Sequence, residues 1–255
     1  MIPTFDNEPF PHGGISHTLY TKGTGPGIVL IHELPGLTKE CVRLANRIVD
    51  AGYRVYMPLL FGKPEKKATN INLMRVCISR EFTVLAKNQS SPIVSWVKAI
   101  CQKAHKECGG PGVGAIGMCL TGNFTISLMA EPVMLAPVSC QPSLPFPFGK
   151  ERKSSVAVSP KEMEAAKKRA SEGQDLMCFR FSCDKTSPEA RFNKLSKEFG
   201  TSFKGMQIDS APGNPHGIRR KAHSVLTADF VDKAGHPTRE AMDRVLAFFE
   251  ERLKV

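Results

Sequence analysis

The chain of 255 residues has no apolar run approaching the length of a membrane span, so no transmembrane helix is expected. Its opening residues, Met1-Ile2-Pro3-Thr4-Phe5-Asp6, carry neither a basic stretch nor an apolar stretch of the secretory kind. No repeat or low-complexity linker interrupts the pattern, and residues 1–255 are expected to form a single domain. A continuous basic tract is also missing. The net charge of +11 is spread over clusters such as Lys66-Lys67, Lys167-Lys168-Arg169 and Arg219-Arg220-Lys221, which read as solvated helix faces and loops. Without a recognition motif, nucleic acid is not an expected partner, although a basic surface could steer small anionic substrates towards a cleft. The eight cysteines lack the look of a disulfide framework: Cys41-Val42, Val76-Cys77-Ile78 and Met177-Cys178-Phe179 set them among apolar neighbours. Reduced, buried thiols of a soluble cytoplasmic protein have that appearance.

What is present is an alternation of short apolar runs and amphipathic stretches. Strands are expected at Gly27–Ile31, Tyr53–Met57, Val113–Met118, Val133–Val138, Asp175–Ser182 and Ser202–Ile208. Helices are expected at Thr38–Ala51, after Pro92, at Leu120–Ala130, Pro160–Ser171 and Pro188–Phe199, and from Pro237 to Lys254. Strands that alternate with helices, and are apolar at nearly every position, argue for an α/β fold with a mostly parallel central sheet and helices on both faces. The irregular stretches Phe61–Asn72, Pro142–Ser159 and Ala211–Lys221 are expected to be loops near the active face.

The strongest local signal is Gly117-Met118-Cys119-Leu120-Thr121-Gly122, where a buried strand turns into a helix. A nucleophile at such a junction sits on a tight turn with its side chain raised above the sheet. In G-x-S-x-G terms, cysteine replaces serine, Thr121 stands at the second glycine, and the glycine comes one position later. The alternative is a buried structural cysteine. Asp184 follows a strand and precedes Pro188, a place suited to the acid that orients a histidine, or to a turn aspartate. His223 lies between the last strand and the last helix, as the nucleophile–acid–histidine order requires, with His216 its nearest competitor. His32-Glu33-Leu34-Pro35-Gly36 ends the first strong strand. The Leu34 amide there, with that of Leu120, is expected to form an oxyanion hole, and Glu33 could reach the thiol. No metal or cofactor is expected. H-E-x-x-H fails at Gly36, and Gly112-Val113-Gly114-Ala115-Ile116-Gly117 precedes and occupies its strand instead of following it. Cys101, His105 and Cys108 lie on one helix face without a fourth ligand at recognisable spacing.

Together these residues resemble the dienelactone hydrolase family, of the α/β-hydrolase fold, from about Gly27 to the final helix. The family carries a glutamate after the first strong strand, a cysteine elbow, and an aspartate and histidine at later strand ends; Glu33, Cys119, Asp184 and His223 match them. The resemblance implies hydrolysis of an enol-lactone or related small ester, monomeric or homodimeric, through an acyl-cysteine, with Glu33 activating the thiol. It also implies two arginines for a substrate carboxylate. Arg80 is similar to the first; the second would stand four residues after the histidine, where this chain has Thr227, with Arg219 or Arg220 as substitutes. Three other readings compete: a non-catalytic binding or regulatory member, a broad carboxylesterase, and a serine esterase using Ser224 or Ser182.

Overall fold

In the computed structural model, residues 2–65, 91–144 and 149–254 are described. Its strands are β1 (Asp6–His12), β2 (Ile15–Lys22), β3 (Gly27–Ile31), β4 (Arg54–Pro58), β5 (Val113–Met118), β6 (Met134–Cys140), β7 (Leu176–Phe181) and β8 (Phe203–Ile208). Between and after them run α1 (Lys39–Asp50), α2 (Pro92–Cys108), α3 (Phe124–Leu128), α4 (Gly149–Ser154), α5 (Pro160–Ser171), α6 (Glu189–Phe199) and α7 (Pro237–Leu253). The strands form one eight-stranded sheet in the order β1-β2-β4-β3-β5-β6-β7-β8. From β4 to β8 every neighbouring pair is parallel, while β1–β2 and β2–β4 are antiparallel. This is the α/β-hydrolase arrangement.

The apolar strands follow from burial on both faces. In β3, Ile28 and Leu30 join a core with α1 and α7, whereas Val29 and Ile31 face the opposite way, against α2. A third cluster packs Leu176 and Cys178 of β7 against Ala166 and Ala170 of α5 and Leu195 and Phe199 of α6. Thr38 caps α1, its side chain accepting from the Cys41 amide, and Ser159 with Glu162 forms a capping box on α5.

Three sequence expectations need correction. The hairpin β1–β2 went unread because β1 is polar, mostly exposed and interrupted by Pro9 and Pro11. Proline is tolerated there because β1 is an edge strand. Its signal was Gly13-Gly14, both at positive φ, joining paired His12 and Ile15. The segment Pro142–Ser159 holds the short helix α4. The helix expected at Leu120–Ala130 starts instead as a 3-10 turn, Cys119–Asn123, and continues as α3 only to Leu128.

The C-terminal ends of the parallel strands β3 to β8 lie along one edge of the sheet. The chain's direction across the sheet reverses at β3, since β4 lies on one side of it and β5 on the other. The crevice at such a reversal is where open α/β sheets hold ligands.

Candidate active site

Cys119 is the first residue after β5, at φ 58°, in the left-handed region that a non-glycine residue adopts only under constraint. Three neighbours supply the constraint. At Gly117 a Cβ would overlap the Thr121 carbonyl oxygen, and at Gly122 it would lie 2.9 Å from the Cys140 carbonyl oxygen. Thr121, fully buried, accepts from the Met118 amide at 3.0 Å and has the carbonyl oxygens of Ile31 and Met118 at 3.0 and 2.9 Å from its hydroxyl. Thr121 therefore ties the elbow to the end of β3. The glycine falls one position late because Gly122, not residue 121, faces the backbone of β6. The Cys119 carbonyl is held by the Ser143 amide at 2.9 Å.

Asp184 and His223 come together with this turn. The His223 Nδ1–H donates to Asp184 Oδ2 at 2.6 Å and lies 2.9 Å from Thr186 Oγ1. Asp184 Oδ1 accepts from the Thr186 amide at 2.9 Å and its hydroxyl at 2.7 Å. With Nδ1 so engaged, Nε2 is the ring nitrogen left for a further partner, and Cys119 is near enough to bear on the titration of the ring. Burial works against charge on His223. The hydrogen bonds with Asp184 and Cys119 outweigh it and raise the imidazole to about 11. Burial likewise opposes a charged Asp184, yet the bonds from His223 and Thr186 bring it below the usual aspartate range.

Glu33, almost fully buried two residues after β3, meets neither of the arginines suggested as substitutes. Its Oε2 accepts from Ser224 Oγ at 2.8 Å and Gln141 Nε2 at 3.2 Å, and its Oε1 accepts from the Thr227 hydroxyl. Thr227, at the position where the resemblance implies an arginine, is a direct partner of Glu33. Burial raises the Glu33 carboxyl, only partly offset by Thr227, by the charge of His223, by Ser224 and by Gln141.

The family model for the dienelactone hydrolase family matches residues 16–253. The chain belongs to the dienelactone hydrolase family. Membership makes it an ester hydrolase. No curated protein matches the sequence. Among solved structures, it is similar to a protein from Klebsiella pneumoniae described as a dienelactone hydrolase, with 16% identity, TM-score 0.64 and coverage of 97% of this chain and 98% of that one. It is also similar to a dienelactone hydrolase-like promiscuous phosphotriesterase from metagenomic libraries, at 15% identity and TM-score 0.58, covering 97% and 98% of the two chains. Est1E from Butyrivibrio proteoclasticus shares 12% identity at TM-score 0.58, over 96% and 98% of the chains. At these identities the likeness is one of fold.

The remaining candidates of this family member disperse. Arg80 lies outside the described residues. Arg219, largely exposed, pairs with Asp229. Ser224 donates to Glu33 and Ser182 Oγ to Asp209 at 3.1 Å, and neither sits on an elbow. Leu34 and Leu120 each stand three residues beyond the paired Ile31 and Gly117, so their backbones flank the same crevice. His32 is a core residue: burial lowers it to about 4, and its neutral Nε2 accepts from the Leu60 amide at 3.0 Å. Cys101 is buried, His105 Nε2 lies 3.0 Å from the Gly110 carbonyl oxygen, and the Cys108 thiol lies 3.4 Å from the Tyr56 hydroxyl, so the three turn to separate surroundings. The glycine at 114 is a packing requirement, since a Cβ there would stand 2.7 Å from Ile28 and 2.9 Å from Phe249. His236 caps α7, accepting from the Thr238 amide at 3.3 Å, with its ring 5.5 Å from that of His216.

Sequence reasoning missed the residues that support this arrangement. Gln141, fully buried at φ 36° just past β6, bridges Glu33 and the Val225 amide. Asp229 Oδ2 accepts from the amides of His223 at 2.9 Å and Ser224 at 3.1 Å. Two fully buried arginines hold the Asp184 loop. Arg180 donates to the carbonyls of Ser187 at 3.0 Å and Ser182 at 3.2 Å. Arg191 donates to those of Pro142 at 2.9 Å, Arg152 at 3.0 Å and Thr186 at 3.3 Å. Arg180 left a trace in the sequence, a lone charge inside the apolar strand Leu176–Phe181; Arg191 left none, because it looks like any helical surface arginine.

Proposed function

We propose that the protein hydrolyses a lactone or small ester through an acyl-cysteine intermediate, with Cys119 as nucleophile, His223 as general base and then acid, and Asp184 as the residue that orients the imidazole. The observation that carries this reading is the 2.6 Å contact of His223 with Asp184 beside the positive-φ elbow that bears Cys119, at the crevice of the sheet. In the first half-reaction His223, whose affinity for a proton is raised by Asp184 and Cys119, takes the thiol proton ahead of attack, and Sγ bonds to the carbonyl carbon as the thiolate. The amides of Leu34 and Leu120 receive the developing oxyanion. Collapse breaks the carbon–oxygen bond, and the leaving alkoxide takes the proton from His223; in a lactone it stays on the same molecule. Water then attacks the thioester, giving its proton to His223, and the thiol is restored as the acid leaves. Glu33 is the thiol activator in this scheme, acting when it swings out of the clasp of Thr227, Ser224 and Gln141.

A hydroxyl at residue 227, where a guanidinium would have met a substrate carboxylate, favours esters and lactones without an obligatory second charge. The free thiols of the described residues fit a reducing compartment, and we place the enzyme in the cytoplasm. The test is a panel of lactones and activated esters, p-nitrophenyl acetate included, with mass spectrometry for acyl adducts. Cys119→Ala should lose turnover by on the order of a thousandfold or more. Wild-type rates in that variant, or an adduct on Ser224 or Ser182, would show the assignment to be wrong.

A further inference from the structure

The loop that carries His223 has two sides. Its inner side presents His223, Ser224 and Thr227 to the crevice. Its outer side lines a half-open cavity of about 370 Å³, bounded chiefly by His216, Ile218, Arg219, Asp229, Phe230 and His236. That volume lies in the range that accommodates small organic ligands. The cavity is half apolar and half polar in its lining. Ile218, Phe230 and Val231 form the apolar part, and Val231 is 43% exposed, an unusual setting for a branched aliphatic side chain among the described residues. Phe230 is held flat by Arg47, whose guanidinium carbon lies 4.4 Å from the ring centroid.

The polar part is weighted towards cations and donors. Arg219 engages Asp229 Oδ1 through Nη2 and keeps further N–H donors for a second acceptor. The rings of His216 and His236 meet edge to face beside it. Of the nearby carboxylates, Asp229 is spent on Arg219 and two amides, while Asp232 is taken by Arg47 at 3.3 Å and Arg239 at 2.6 Å. An anion with an apolar body therefore matches the cavity better than a cation or a fully polar ligand.

We propose that this cavity binds a small apolar monocarboxylate, its carboxylate on Arg219 and its body against Ile218, Phe230 and Val231, and that occupancy is transmitted to His223. The route is short. Arg219 holds Asp229, and Asp229 holds the amides of His223 and Ser224; Ser224 in turn holds Glu33. A carboxylate that draws on Arg219 loosens its contact with Asp229 and so the seating of both backbone groups.

The inference stands on the cavity and does not require the acyl-cysteine reading. Its test separates the two. Benzoate, which has no ester bond to cleave, is titrated into Cys119→Ala protein and followed by two-dimensional amide NMR. Expected are saturable shifts at Gly217, Arg219 and Phe230 together with the His223 and Ser224 amides, with a dissociation constant of about 1 mM or tighter. Ile218→Trp, which fills the cavity, should weaken binding by about tenfold or more. Val231→Glu, at an exposed position that tolerates a polar group, should do the same by repulsion, and it keeps the test valid if the tryptophan variant fails to fold. The proposal is overturned if shifts centre on residues 117–122, if they stop at the cavity wall without reaching His223 and Ser224, if both variants bind benzoate like the parent, or if no saturation occurs.

Discussion

At the scale of single residues, Glu33 is a costly side chain to keep in place. A carboxylate removed from water needs donors, and among the described residues they are two hydroxyls and one amide, with no cationic side chain in direct contact. Its carboxyl is raised, so between the unfolded and the folded titration the folded chain keeps a proton that the unfolded chain has released. Stability from this group therefore falls as pH rises from about 4.3, the ordinary glutamate value, through the raised folded value. Glu33→Gln cannot titrate. Its melting temperature should exceed that of the parent by a margin that opens above about pH 4.3 and levels off once Glu33 is charged, while ester turnover drops. Thermal melts of both proteins across that range would read the effect. Parallel curves would mean that Glu33 is not shifted.

Among the elements, β5 and the turn after it depend on fit more than on any one strong bond. Glycine at 117 and 122 lets the chain pass its neighbours, and Thr121 crosslinks the turn to β3. Thr121→Val keeps the shape but leaves the Met118 amide without its side-chain acceptor. A loss of about 1–3 kcal/mol is expected, measured by urea unfolding, together with a fall in kcat as Cys119 loses its fixed φ. The elements themselves were largely legible in the sequence. Val113–Met118 and Pro160–Ser171 have the bounds expected from the sequence, because burial on both faces leaves an unbroken apolar strand and a charged helix is set off from the runs around it. The hairpin β1–β2 was illegible for the opposite reason: an exposed edge strand needs no apolar alternation.

At the scale of the whole molecule, two buried arginines take the place of local loop structure around Asp184. Arg191 reaches from α6 to carbonyls in three separate segments, at Pro142, at Arg152 and at Thr186, and burial lowers its guanidinium to about 10, partly restored by the charges of Asp184 and Cys119. Arg191→Met would fill similar space while leaving those carbonyls unmet. The expected cost is about 2–4 kcal/mol, or roughly 5–15 °C in melting temperature for a chain of this size. Turnover should fall more than substrate affinity, because the displaced group is the orienter of His223. An unchanged kcat in a folded variant would remove Arg191 from any role in the site.

The alternation of strands and helices was legible in the order of amino acids alone, as were Glu33, Cys119 and Asp184, which stand just past apolar runs that are buried wherever the chain folds; His223 was marked only by its place between the last strand and the last helix. Only the tertiary structure decided what those residues touch. Thr227 and Gln141 come from distant parts of the chain to meet Glu33, and Asp229 and the two arginines act through backbone atoms that have no side-chain signature. Contacts of that kind depend on how strand ends and loops converge at one edge of the sheet, a three-dimensional relation that no local spacing encodes.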